Sequence, residues 1–150
     1  MNRYFKSTLV KYFVVRELRL TPRQRRIHAI QEAFYAKYMA AGARAYAKGR
    51  PRRLDRGDRL ALLIGELEAD VNNGGFAQYL DNKGRRRARE ALRALTQVGA
   101  RRTAAMLAAA MAPGVTERQL AALDDRFSRV PEDLAVYVMR HVGPPDFARR

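Results

Sequence analysis

Between Glu66 and Asn82 the chain concentrates side-chain oxygen: Glu66, Glu68, Asp70, Asn72, Asn73, Gln78, Asp81 and Asn82. A set like this could hold a hard cation or carry acid-base chemistry. The spacing is not that of an EF-hand loop, because the alternating oxygen ligands around a mid-loop glycine and the closing bidentate glutamate are missing. Nothing supplies an activated nucleophile with a base placed to take its proton. Cysteine is absent, and His28 and His141 have no partner at ligand spacing. Neither GxGxxG nor GxxxxGK[ST] occurs, so no phosphate cradle is encoded. The same residue types also cap helices and fix Asn-Gly turns. This structural use accounts for them, and we expect no catalytic residue, no metal and no cofactor, hence a protein that is not an enzyme.

The elements that must position these residues follow from periodicity. Leu60, Leu63, Ile64, Leu67 and Val71 step at helical spacing, and Asp58 stands where an N-cap would. This helix should stop at Asn72-Asn73, with Gly74-Gly75 supplying left-handed backbone that reverses the chain. Phe76 and Tyr79 then face inward together. After Asn82 and Gly84, a helix to Val98 carries Ala88, Ala91, Leu92, Leu95 and Val98 on one side, and Arg85, Arg86, Arg89 and Arg93 on another. Gly99 ends it.

The string from Glu68 to Asn82, with VNNGGF at its centre, Gln78-Tyr79 and the closing Asn82, resembles the signature of the DNA-mimic-protein family, helical domains of mostly unassigned function. The resemblance runs from about Leu60 to about Val142, touching Ala91-Leu92, Gly99-Ala100 and Leu120 to Leu134. It implies a helical fold in which Asn72, Asn73, Gly74, Gly75, Phe76, Gln78, Tyr79 and Asn82 are structural. It also implies regulation by occupying another macromolecule; in the family's namesake an acidic surface stands in for DNA.

Outside this region, Asn2 to Leu20 reads as a basic amphipathic helix through Phe5, Leu9, Tyr12, Phe13 and Leu20, although Thr8 to Val15 is also rich in strand-forming residues. Its apolar face could pack on the domain or lie on a membrane surface. Thr21-Pro22 starts a long helix to about Lys48. Along it Ala29, Ala33, Ala36, Ala40, Ala43 and Ala47 make a smooth stripe that could pair with a second copy of the chain, Ile27, Phe34, Tyr38 and Ala45 make an apolar row, and Arg23, Arg26, Lys37, Arg44 and Lys48 make a basic one. Gly49 to Gly57 is a loop carrying Arg50, Arg52, Arg53 and Arg56. Ala100 to Ala112 is a small-residue helix stopped by Pro113-Gly114, Thr116 with Gln119 forms a capping box, and Pro131, Glu132 and Asp133 open a last helix. The expected fold is all-α, one compact domain of six to eight helices with a long N-terminal helix pair. Residues 1–57 form its basic part and 58–150 the family-like part.

Charge sets the functional class. The net charge is +15, and residues 1–60 carry 16 Lys/Arg against 4 Asp/Glu, whereas residues 61–150 carry 14 against 11. A surface so charged attracts polyanions and cannot present the carboxylate rows that DNA mimicry needs. Arginine outnumbers lysine 25 to 5 and alanine also occurs 25 times, a pairing that base-composition bias can produce. Bias does not explain why acids are scarce only at the start. The polyanion-binding candidates are Arg23, Arg26, Lys37, Arg44, Lys48, Arg50, Arg52, Arg53, Arg56, Arg85, Arg86, Arg89 and Arg93. Nucleic acid is the first expected partner and an acidic protein the second, with the chain as a regulator-binding or toxin-neutralising module. No apolar run reaches the ~18 residues of a membrane span. A cytoplasmic protein without a signal peptide is expected.

Overall fold

The computed structural model describes residues 20–47, 53–129, 132–144 and 147, and these hold five helices and no strand. We label them α1 (Pro22–Ala45), α2 (Arg56–Val98), α3 (Arg101–Ala110), α4 (Glu117–Arg129) and α5 (Leu134–Val142). The all-α class stands, and among the described residues the expected six to eight helices number five, one of them, α2, broken by non-helical backbone. The helix expected at 2–20 lies outside the described residues, and the segments on either side of the Asn-Gly motif join into α2.

Both ends of α2 are set by local chemistry. The N-cap is Asp55 rather than Asp58, and its carboxylate accepts from the Asp58 N–H at 2.7 Å. The earlier start leaves Asp58 in the first turn with its side chain free to face α1. At the far end Gly99 adopts φ 83° and ends the helix. Within α2 the backbone is non-helical at Gly74 (φ −159°, ψ 19°), Gly75 (φ 81°, ψ 179°) and Gly84 (φ 74°, ψ 165°), leaving helical segments 56–73, 76–83 and 85–98. The first and third segments lie antiparallel: Arg59 meets Glu90 at 3.2 Å and Glu66 meets Arg87 at 3.0 Å. α2 is thus folded back on itself and touches all four other helices.

Gly75 explains why the motif needs glycine. Its φ and ψ fall where only glycine rests without strain. A Cβ there would also strike the Asp124 carboxylate, which reaches from α4 to accept the Phe76 N–H at 2.8 Å. Asp124 therefore caps the segment 76–83 from a different helix. Beside it the Phe76 and Phe127 rings meet edge to face, centroids 5.7 Å apart.

α1 opens as Thr21-Pro22 predicts: Thr21 Oγ1 accepts from the Gln24 N–H at 3.3 Å, and Gln24 Oε1 returns the bond to the Thr21 N–H at 2.9 Å. It ends at Ala45, short of Lys48. Its inward row is Ile30, Phe34 and Ala41, in place of the expected Ile27, Phe34, Tyr38 and Ala45. Ala29, Ala36, Ala40, Ala43 and Ala47 are exposed. The bulky chains take the interior because they bury several times the apolar area of an alanine methyl. Tyr38 instead lies flat on Gly65, where a Cβ would come within 2.5 Å of the ring. α1 packs against α2 and α5.

The N-cap of α3, Ala100, has no side chain able to cap. Glu132 supplies what is missing, accepting from the Arg102 N–H at 3.0 Å and from the Thr103 N–H and hydroxyl at 2.7 Å each. Its neighbour Asp133 caps α5 through the Val136 N–H and accepts from Gln31 of α1 at 2.7 Å. Two adjacent carboxylates so tie the starts of α3 and α5 together. The core runs through Ile64, Leu67, Phe76, Tyr79, Leu95, Met106, Leu107, Leu134 and Val138. α4 lies on it with Leu120, Leu123 and Phe127 half-buried.

Candidate functional site

The motif region builds a buried polar cluster. Glu66, 3% exposed, accepts from Arg87 Nε at 3.0 Å and from the Tyr46 hydroxyl, and lies 3.4 Å from Lys83 Nζ. Arg87 also meets Glu90 at 3.4 Å, which receives Arg59 at 3.2 Å. Burial works against the Arg87 guanidinium, but the Glu66 hydrogen bond and charge outweigh it and hold its pKa above the usual arginine value. Burial, then the charges of Glu66 and Asp70, push the Tyr38 hydroxyl up to about 12. Asp70 is raised by burial against the opposing pull of Lys83 and of an Asn82 hydrogen bond. Asp70 Oδ2 and the Tyr79 hydroxyl, both buried, have no hydrogen-bond partner among the described residues. A second buried carboxylate, Asp58, is met by Lys37 at 2.8 Å and by Arg44.

Glu68 belongs to neither cluster. Burial, and secondarily the Asp133 carboxylate, lift its pKa from 4.5 to about 7. Between those values the folded chain holds a proton that the unfolded chain has released, so stability falls as pH rises through the window, and the cost is complete above about 7. Glu68→Gln is therefore expected to melt like the wild type at pH 4 and above it at pH 8, by up to ~3 kcal/mol. Thermal melts across that range check the sign; a gap that widens toward acid contradicts it.

The sixteen exposed arginines and five exposed acids (Glu32, Asp55, Asp81, Glu117, Asp125) of the described residues give the outer surface its sign. The four part-buried cations, Lys37, Arg44, Lys83 and Arg87, are those that face Asp58 and Glu66. The acids have gone inward and the arginines outward, so the surface is more one-signed than the composition.

The sequence candidates divide accordingly. Lys37 and Arg44 are committed to Asp58. Lys48, Arg50 and Arg52 lie outside the described residues. Arg23, Arg26, Arg53 and Arg56 are exposed, and so are Arg85, Arg86, Arg89 and Arg93 along the outer side of 85–98. Arg85 donates to the Met111 carbonyl, and Arg86 is 95% exposed with Glu90 no nearer than 3.9 Å. Periodicity left out Arg87, although it shares the inward side of its helix with Ala91, Ala94 and Val98. Helical angle sets Tyr46 with Tyr35 and Met39 on a further flank of the long helix, expected to be covered; Tyr46 and Met39 are instead exposed, and the Tyr46 hydroxyl meets Glu66. His28 lies 3.6 Å from Glu32, and His141 adjoins Gln97 at 3.2 Å. Among the described residues no group of three or more His, Asp or Glu is arranged to hold a metal, and no helix is long and apolar enough to cross a membrane.

The folded-back α2, its VNNGGF turn and the helices capped onto it coincide with a family model, described as DMP19-like protein, that matches residues 52–141. The chain belongs to the DMP19-like family. No curated protein and no solved structure is matched. The DMP19-like match includes Asp58, Glu66, Asp124, Glu132 and the arginines of 85–98. It stops short of α1 and its C-cap Tyr46, which bring Lys37, Arg44 and the Tyr46 hydroxyl to Asp58 and Glu66.

Proposed function

We propose that this chain is a non-catalytic binding protein whose arginine-covered surface takes a polyanion, nucleic acid first. The observation that carries the reading is the sorting of charge: buried carboxylates consume the part-buried cations, and among the described residues exposed arginines outnumber exposed acids sixteen to five. Such a surface concentrates phosphate through guanidinium donors that match its oxygens. Three arginines, Arg23, Arg25 and Arg26, also stand in the first turns of α1 with no acid among them, where the helix dipole disfavours cations by ~0.3–1 kcal/mol each. Stability of the helix does not account for that choice. The outer side of 85–98, with Arg85, Arg86, Arg89 and Arg93, is the longest exposed row on one described helix.

DNA mimicry, the property in the name DNA mimic protein 19, is opposed by the same sorting, because only five acids are exposed among the described residues and they are outnumbered by exposed arginines. Membership of the family does favour a second reading, a regulator-binding or toxin-neutralising module whose partner is an acidic protein. The two separate by titration against salt. Duplex DNA binding should weaken with log salt at about −0.9 per phosphate contact, and replacing Arg85, Arg86, Arg89 and Arg93 together by Gln should flatten the slope by about 3 to 4 units with little change in melting temperature. Failure of the wild type to bind DNA or RNA at low salt, with nuclease-resistant binding of fixed stoichiometry to an acidic protein, favours the second reading.

A further inference from the structure

Resting on the polyanion reading, we infer that the arginine surface takes single-stranded nucleic acid, with the exposed face of Tyr46 as a shelf for one unpaired base. Tyr46 and Met39 are the large hydrophobic side chains exposed among the described residues, at 65% and 45%. Tyr46 is the more unusual because its two ends are treated differently. The hydroxyl is fixed by buried Glu66, which also holds Arg87 and adjoins Lys83, while the ring stands in solvent.

The anchor has two consequences. A ring tethered at its tip has little rotational freedom left to lose when a flat ligand covers it, which favours stacking. The tether also sets the ring near exposed guanidinium groups: Glu66 is shared between Tyr46 and Arg87, and Arg87 in turn shares Glu90 with Arg59 and Arg86, which are exposed. An aromatic face near exposed guanidinium groups is what binds a strand with accessible bases and a charged backbone. A duplex can use the arginines but not the ring, since its bases are covered by one another and only their edges are open.

The test uses the whole chain with an oligothymidine of about twelve nucleotides, within the range of single-strand sites, and a duplex of equal length. Tyr46→Ala is expected to weaken oligothymidine binding roughly 5- to 150-fold, as for one lost stack, and to leave duplex affinity and the salt slope unchanged because the ring has no charge. Tyr46→Phe keeps the face and loses the tether; it should bind oligothymidine less tightly than the wild type but more tightly than Tyr46→Ala. Equal losses in Phe and Ala, or equal losses for duplex and single strand, overturn the inference. So does an Ala variant that binds both ligands unchanged. If the wild type binds neither ligand at low salt, the polyanion reading itself fails. Should Tyr46→Ala not fold, 2-aminopurine placed along the oligonucleotide gives an independent readout. Its fluorescence should change on binding to wild type and Tyr46→Phe, and no change at any position overturns the stack.

Discussion

Gly75→Val is expected to destabilise the fold by about 3 kcal/mol or more, from two separable causes. The first is backbone strain, since φ 81° with ψ 179° is a region essentially reserved for glycine and holding another residue there costs ~1–3 kcal/mol. The second is displacement of the Asp124 carboxylate, which loses the Phe76 cap, a bond worth ~0.5–2 kcal/mol. Gly84 supplies the control. Its backbone is similar, φ 74° and ψ 165°, but nothing stands within 4 Å of an added Cβ. Gly84→Ala should therefore show strain alone and Gly75→Ala should cost more. In an Asp124→Ala background the excess should disappear, because the obstructing carboxylate has gone. Urea unfolding of these variants measures each term, and equal costs for Gly84→Ala and Gly75→Ala would refute the steric role of Asp124.

Glu66→Ala should cost about 3 kcal/mol, the lower end of the range for breaking a buried ion pair, because the cations it abandons keep some contact with water. Lys83 and Arg87 are each 26% exposed. The loss comes from leaving two positive charges and the Tyr46 hydroxyl without their acceptor, rather than from lost packing. Glu66→Gln, which keeps an acceptor oxygen, should lose less. Removing both partners, as in Glu66→Leu with Arg87→Leu, should recover much of the loss, since a well-packed apolar pair often matches a buried ion pair. A double variant worse than the sum of the singles would show that the cluster does not behave as one paired unit.

The features legible in the sequence are those whose cause lies within a few residues. Thr116 with Gln119 closes a capping box across three positions, as the spacing predicts, and Thr21 caps its helix ahead of Pro22, with Gln24 completing a box there as well. Gly99 ends its helix, Phe76 and Tyr79 turn inward together, and the positive φ falls within the Gly74-Gly75 pair. The outward setting of Arg85, Arg86, Arg89 and Arg93 is a matter of helical angle, and it too can be read from the chain.

Tertiary structure alone decided the partners of the carboxylates. Asp58 looks like a cap and in fact receives Lys37 and Arg44; Asp124 and Glu132 cap helices not their own, 48 and 29 residues away in sequence. Composition reports how many charges there are but not which are neutralised, because a buried carboxylate draws cations from wherever the fold brings them, and the energy that selects them depends on distance in space and on exclusion of water. The net charge of +15 was plain from the residues. That the acids would lie inside and the arginines outside, with Tyr46 held between them, was decided only when α2 folded back on itself and α1 packed across it.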